Sequence, residues 1–334
     1  MAAADPNKLK VVQEINRQDI LFSVARVPET SRVFIASSDS KIYELDVLAE
    51  KPEPREFVGH HGFVMEVVLA GNNLVSGAYD GKLIWWNIES GEQVRAIDAH
   101  QKWVRAMIVT PDQKTIISVS DDMVCRLWDV ESGSLLNELR GHEPKTPHHF
   151  PSMLFCCAVS PDGRLLATGD KVGHVVVWDI ATGKQLESVE APTLYTWDPK
   201  QRTHSIGGVR SLAFSPDSKL LAVGGIGQIG NIDHLGALAR LEVFDWQKGE
   251  RTHEFPGDEY KGLFEHLIFH PNGDWLLGAG GDNGGFIKFI DLQTKKVIKQ
   301  DKAPMHVHDF VLNEETDTVF AVGHGKIVVW ELRA

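Results

Sequence analysis

Several sets of residues in this chain have the composition of a reactive site. His60, Ser76 and Asp80 recur in kind as His100, Ser118 and Asp122, the residue types of a nucleophilic hydrolase. Gly225-Ile-Gly227-Gln-Ile-Gly230 spells G-x-G-x-x-G, with Asp245 twenty residues beyond Gly225, the pattern of a dinucleotide-binding turn. His142, His148, His149 and His204 are imidazoles that could ligate a metal.

Each chemistry needs a scaffold. A dinucleotide turn needs a full helix and a parallel βαβ crossover, but only residues 231–240 separate the glycines from the apolar run 241–245. A zinc site needs three or four ligands in fixed geometry, and no cysteine lies near these histidines in sequence. The chain has no HExxH, no GxSxG and no P-loop. Its acids fall mostly at turns, where Asp serves backbone hydrogen bonds. The sequence therefore predicts neither a metal nor a cofactor, and no catalytic residue.

Composition narrows the class. The 334 residues are 43% hydrophobic and 24% charged, ordinary for a soluble globular protein. The formal net charge is −12, without the clustered cations that nucleic-acid binding requires. No nucleic-acid partner is expected. No apolar run approaches the roughly 18 residues of a membrane span, and the start lacks the pattern of a secretory signal. Neither membrane insertion nor secretion is expected, and a cytoplasmic location is the default. Cys125, Cys156 and Cys157 make no disulfide framework.

The elements that would position these residues are repeated. Residues 165–179 read strand, tight turn, strand, ending in Trp178-Asp179. Similar short apolar runs end at Asp46, Asn87, Asp129, Asp179, Asp245, Asp291 and Glu331, in steps of 41, 42, 50, 66, 46 and 40 residues. Gly59-His60, Ala99-His100 and Gly141-His142 keep the same register, as do Pro111-Asp112, Pro161-Asp162, Pro216-Asp217 and Pro271-Asn272. Trp197-Asp198 has no apolar run leading into it and is followed by Pro199, so it reads as loop.

A period of about 40–45 residues with a Trp-Asp ending resembles the WD40 β-propeller family over the full length of the chain. The resemblance implies an all-β fold: one domain over residues 1–334, a single seven-bladed propeller of four-stranded blades. It also implies a buried structural network of His, Ser or Thr, Asp and Trp. This falls on His60, Ser76, Asp80 and Trp86, and on His100, Ser118, Asp122 and Trp128. His142, Thr168 and Trp178 continue it, but Val172 stands where the turn Asp is expected, as do Gly284 and His324 in the last two repeats. The Ser/His/Asp sets are on this reading structural. The last repeat has only three strands of its own, at 306–313, 318–323 and 326–332. Residues 9–15 are expected to supply the fourth and close the ring, ahead of a first strand at 20–27.

Three insertions interrupt the repeat, at 142–152, 191–208 and 224–240. Strand parity puts all three on one face, that of the b–c turns and d–a connections. Long loops in compact domains are commonly functional. His149, Phe150, Tyr195, Trp197 and Arg202 lie in them, and Phe63, Tyr79, Trp103 and Asp121 sit at matching positions of other repeats. Arg105 and Arg210 each precede a strand-ending Pro by six residues. They could bind an anion together, or each could pair with an acid of a neighbouring blade. Aromatic and arginine side chains are what interface hot spots use. The expected function is a non-enzymatic scaffold or adaptor subunit that binds a protein or peptide on this face, around blades three to five. The alternative is an enzyme or small-ligand propeller with its site at the channel mouth.

Overall fold

A computed structural model describes residues 4–199, 204–230 and 236–333. Among them are five four-stranded antiparallel sheets, one six-stranded sheet and a two-stranded hairpin. Helix is confined to two short 3-10 turns, Pro6–Lys8 and Pro192–Leu194. The fold is an all-β propeller.

The unit at 165–179 shows how sequence becomes sheet. Leu165–Asp170 pairs with His174–Asp179. Gly173 makes the turn at φ 91°, and a Cβ there would stand 2.3 Å from the Ala191 carbonyl oxygen. Both the left-handed backbone and the close approach require glycine. Val175, Val176, Val177 and Trp178 are all buried, as befits a strand covered on both faces. The outermost strands instead leave much of their surface in water, as Gln93–Asp98 does. Apolar character thus falls from the inner strands to the rim.

The core lies between neighbouring sheets. Phe34, Ile42 and Phe57 meet Val64, Leu74 and Trp86 in one cluster. Val75 and Trp85 meet Val104 and Trp128 in the next. Val175 and Val177 meet Val209, Leu212 and Phe244 further round.

Six large sheets stand where seven were expected. Lys10–Arg26 and Thr318–Glu331 are each one unbroken strand, not the pairs of shorter strands anticipated. Residues 16–19, Asn-Arg-Gln-Asp, contain no glycine or proline to interrupt extended backbone. A register shift between Asn16 and Ile20 absorbs the change of direction. Before the shift, Lys10 faces Glu331 and Ile15 faces Ile327. After it, Val24 faces Ile35.

Two other readings need correction. Trp197-Asp198 is not irregular loop, because Tyr195–Asp198 pairs with His204–Gly207 as a small hairpin. The 224–240 insertion is shorter than its sequence limits. Leu220–Ile226 and Ala239–Asp245 extend their ladder to the pair Ile226↔Ala239. That ladder is antiparallel, so the glycines of 225–230 do not form the parallel unit a dinucleotide turn needs.

Candidate functional site

The Ser/His/Asp sets are buried ladders of hydrogen bonds. Trp86 Nε1 donates to Ser76 Oγ at 2.8 Å, Ser76 Oγ meets His60 Nε2 at 2.8 Å, and His60 Nδ1 meets Asp80 Oδ2 at 3.0 Å. Trp128, Ser118, His100 and Asp122 repeat this at 2.9, 2.8 and 3.1 Å. In the first ladder one proton per link satisfies the chain, from the indole to the hydroxyl, the hydroxyl to Nε2, and Nδ1–H to the carboxylate. In the second, Arg126 Nη1 also approaches His100 Nδ1 at 2.6 Å and donates to Asp122 Oδ2 at 2.9 Å. Ser76 and Ser118 are fully buried, so neither hydroxyl is open to a substrate. Burial alone would raise the Asp80 carboxyl; bonds from the His60 ring and the His61 backbone N–H outweigh it and hold it at about 2.

The third ladder differs from the sequence expectation. Trp178 Nε1 donates to Thr168 Oγ1 at 2.9 Å, which meets His142 Nε2 at 2.8 Å. The carboxylate comes from Asp170, 3.1 Å from His142 Nδ1. Val172 at the usual turn position therefore costs the network nothing. Asp170 Oδ1 also accepts the Val172 and His174 backbone N–H groups at 2.9 and 3.0 Å.

A central cavity of about 440 Å³ is lined by the first strands of successive sheets, with Phe22, Met65, Arg105, Phe155, Arg210 and His308 among its walls. The backbone places its rim residues in equivalent positions. The N–H groups of Tyr79, Asp121, Lys171 and His324 donate to the carbonyls of Phe63, Trp103, Met153 and His306 in turn. Phe22 stacks on Phe63 with centroids 6.0 Å apart, Phe63 on Tyr79 at 5.5 Å, and Tyr79 on Trp103 at 4.1 Å. Phe63 and Trp103 remain 44% and 45% exposed.

Arg105 binds Asp121 through two bonds of 2.7 and 2.9 Å and donates to the Tyr79 hydroxyl at 2.8 Å. Its acid comes from its own sheet, not from a neighbour. Burial alone would lower the Arg105 guanidinium, and the Asp121 pair raises it instead. Arg210 lies over the Phe155 ring at 4.0 Å. Its buried Nε has no hydrogen-bond partner among the described residues. Burial, then Arg210 and Arg105, lower the Lys171 amine, which Asp121 partly offsets. Arg105 and Arg210 thus flank one aromatic ring, and the cavity below carries Glu66, Glu265, His266, His308 and Asp309. Burial, reinforced by Asp309, pushes the Glu66 carboxyl well up. Burial pulls His308 down to about 4.

The insertions touch one another. His148 stacks on Trp197 at 4.1 Å and meets the Tyr195 hydroxyl at 3.0 Å. Phe150 lies against Trp197 at 5.3 Å. Gln228 Nε2 donates to the Tyr195 carbonyl at 2.9 Å, tying the third insertion to the second. Phe150 and His149 are exposed, while Tyr195 and Trp197 are half-buried within this self-supporting cluster. Arg202 lies outside the described residues. Sequence reasoning missed Phe22, Phe155, Lys171, Glu265, His306, His308 and His324. Their signal was register: each stands at or close to a repeat position that carries a rim group elsewhere in the chain.

Antiparallel sheets whose first strands touch in chain order around a central cavity define a β-propeller. The family model described as "WD domain, G-beta repeat" matches residues 91–129, 133–179 and 197–228. The chain carries WD40 repeats over these three stretches. It is 34% identical to apoptotic protease-activating factor 1 of Rattus norvegicus over 158 residues, 47% of this chain and 12% of that protein. It is 26% identical to telomerase protein component 1 of Mus musculus over 260 residues, 78% of this chain and 9% of that protein. It is 27% identical to nuclear distribution protein PAC1 of Arthroderma otae over 218 residues, 55% of this chain and 42% of that protein. The chain thus spans less than half the length of these relatives. No helix is long and apolar enough to cross a membrane among the described residues.

Proposed function

We propose that this chain is a non-enzymatic interaction module that receives a protein or peptide on the face around the central cavity, as a subunit or adaptor of a complex. The observation that carries this is the aromatic shelf from Phe22 through Phe63 and Tyr79 to Trp103, with its two exposed rings. Rigid aromatic area at a rim, held in place by buried polar groups, is the composition of an interface hot spot. Arg105, Arg210 and Lys171 beside the shelf favour a partner that brings an acidic group next to its apolar one. The insertion cluster of Phe150, Trp197 and Tyr195 extends the surface over the neighbouring sheets.

Affinity capture with wild type, Phe63→Ala/Trp103→Ala and a control, Leu48→Ser, tests the reading. Leu48 is exposed, in the turn that follows the strand Lys41–Asp46. The reading requires that the double variant lose partners that the control retains. Equal partner sets for all three proteins would end it.

We also read the six-stranded sheet as two four-stranded blades: Thr318–Glu331 supplies two strands to one of them, and Lys10–Arg26 supplies one strand to each. This makes one seven-bladed domain, closed where residues 10–16 lie beside 326–331. Two observations support it. The first strands of successive sheets touch in chain order, and Val307–Leu312 touches Lys10–Arg26. Within that sheet, Val33 and Ile35 cluster with Phe320, Val322 and Val329, as the facing sides of two stacked layers do.

A second reading, a small-molecule site in the cavity, has one observation in its favour. Glu66, Arg105, Arg210, Glu265 and Asp309 converge on one space. A small anion that protects the fold thermally, and loses that effect in Arg210→Met, would favour it. A cytoplasmic location is proposed on the three unpaired cysteines, which suit a reducing compartment.

A further inference from the structure

We infer that His306, His308 and His324, with Glu265 beside them, form a binding site for a divalent transition-metal ion of the zinc type. This stands independently of the docking reading.

The backbone brings the three imidazoles together. His306 immediately precedes the strand Val307–Leu312, and His308 lies in it at a bulge, where the register shifts between Val307 and Asp309. The bulge turns the His308 ring onto that of His306. The His324 N–H donates to the His306 carbonyl at 3.0 Å, which fixes this part of the Thr318–Glu331 strand opposite His306. Ring centroids are 4.6 Å apart for His306 and His308, 4.8 Å for His306 and His324, and 4.9 Å for His308 and His324. One ligand nitrogen from each ring lies within 4.8 Å of the other two.

Proton placement points the same way. His306 Nδ1 is 3.0 Å from the Asp282 carbonyl oxygen. A carbonyl only accepts, so Nδ1 carries the proton and Nε2 of the neutral ring presents a lone pair. That nitrogen sits 3.3 Å from Glu265 Oε1, without forming a hydrogen bond, and His308 Nε2 is likewise buried and unpartnered among the described residues. Unpartnered buried polar atoms are rare in native proteins. Two on adjacent rings, with a carboxylate facing one, share an explanation in a bound cation.

The donor set selects the ion. Imidazoles suit zinc, cobalt, nickel and copper, whereas oxygen-only sets suit magnesium and calcium. A carbonyl that holds the far ring nitrogen of a ligand is the usual outer support of a metal-bound histidine. Zinc–nitrogen bonds of about 2.0–2.1 Å require the nitrogens somewhat closer than they stand. His324 is exposed and free to swing inward by side-chain rotation. Its solvent side leaves a position for water or a partner's ligand. The competing account is a metal-free imidazolium at His306 paired with Glu265, whose charge Arg210 also shares.

The experiment uses the full chain with any affinity tag removed and metals stripped by chelation. It is dialysed against Zn²⁺ for metal analysis, and against Co²⁺ for visible absorption. Wild type and a control, His148→Gln, are expected to retain one ion per chain and to show the intense bands of low-coordinate Co²⁺. His308→Gln and His324→Gln should each weaken Zn²⁺ binding at least about tenfold and lose those bands. His324→Gln changes an exposed side chain and keeps the test valid where His308→Gln melts early. A wild type that retains no ion, or equal affinity in wild type and His324→Gln, overturns the site.

Discussion

The Tyr79 ring lies flat on Trp103, with centroids 4.1 Å apart and planes 6° from parallel. The Arg105 guanidinium caps both rings at 5.1 Å. Trp103 is therefore held rigid while 45% of it faces solvent. A pre-ordered aromatic loses little entropy on binding. Trp103→Ala should weaken partner affinity by about 2 kcal/mol or more, near thirtyfold, yet lower stability by no more than about 1 kcal/mol. Titration calorimetry against a captured partner, with a thermal melt of the variant alone, checks both halves.

Ser118 should matter for stability in the opposite sense. Its hydroxyl joins His100 Nε2 to Trp128 Nε1 in a fully buried position. Ser118→Ala leaves both ring nitrogens without a partner, a loss of about 2–4 kcal/mol. Denaturant unfolding measures it, and a loss under about 1 kcal/mol would show that these bonds contribute little.

Asp170 replaces the missing turn acid of its repeat. Asp170→Ala should cost about 2–4 kcal/mol, because it strips His142 and two backbone N–H groups of their acceptor. Val172→Asp should bring no gain in melting temperature, since the acceptor role is already filled. A clear gain would contradict the assignment.

Acid sensitivity follows from Asp80. Its carboxyl is held at about 2 in the folded chain, against about 3.9 unfolded. A depressed folded value stabilises above the unfolded value, and that stability is lost as pH falls toward the folded one. The stability gap between wild type and Asp80→Asn should be constant above about pH 5 and shrink between about pH 4 and 2. Melts across that range test the sign.

Deletion of residues 1–16 removes the strand portion that pairs with residues 326–331. It also removes Leu9, which packs against the cluster of Val328, Trp330 and Leu332. Exposing that edge should lower the melting temperature by several degrees and promote self-association. An unchanged melt of a monomeric deletion variant would reject the proposed ring closure.

How far the sequence could be read depended on whether a feature was local. The hairpin at 165–179 was legible because its turn chemistry and apolar runs lie within fifteen residues. The first two hydrogen-bond ladders were legible because each residue keeps a fixed register. Asp170 was not, because a carboxylate two positions early reaches the same imidazole from a different backbone site. The count of separate sheets was missed for a similar reason. Nothing in residues 16–19 distinguishes a bend within one strand from a break between two.

The sequence by itself determined the repeat, the strand order within it, the buried ladders and the places where long loops interrupt the pattern. These follow from side-chain periodicity and turn chemistry, which act over a few residues. Only the tertiary structure decided which rim groups meet. Phe22 reaches Phe63, and Glu265 reaches His306, across 41 residues in each case. The reason is physical: the stacking of one sheet on the next sets those distances, and no local pattern in the chain encodes them.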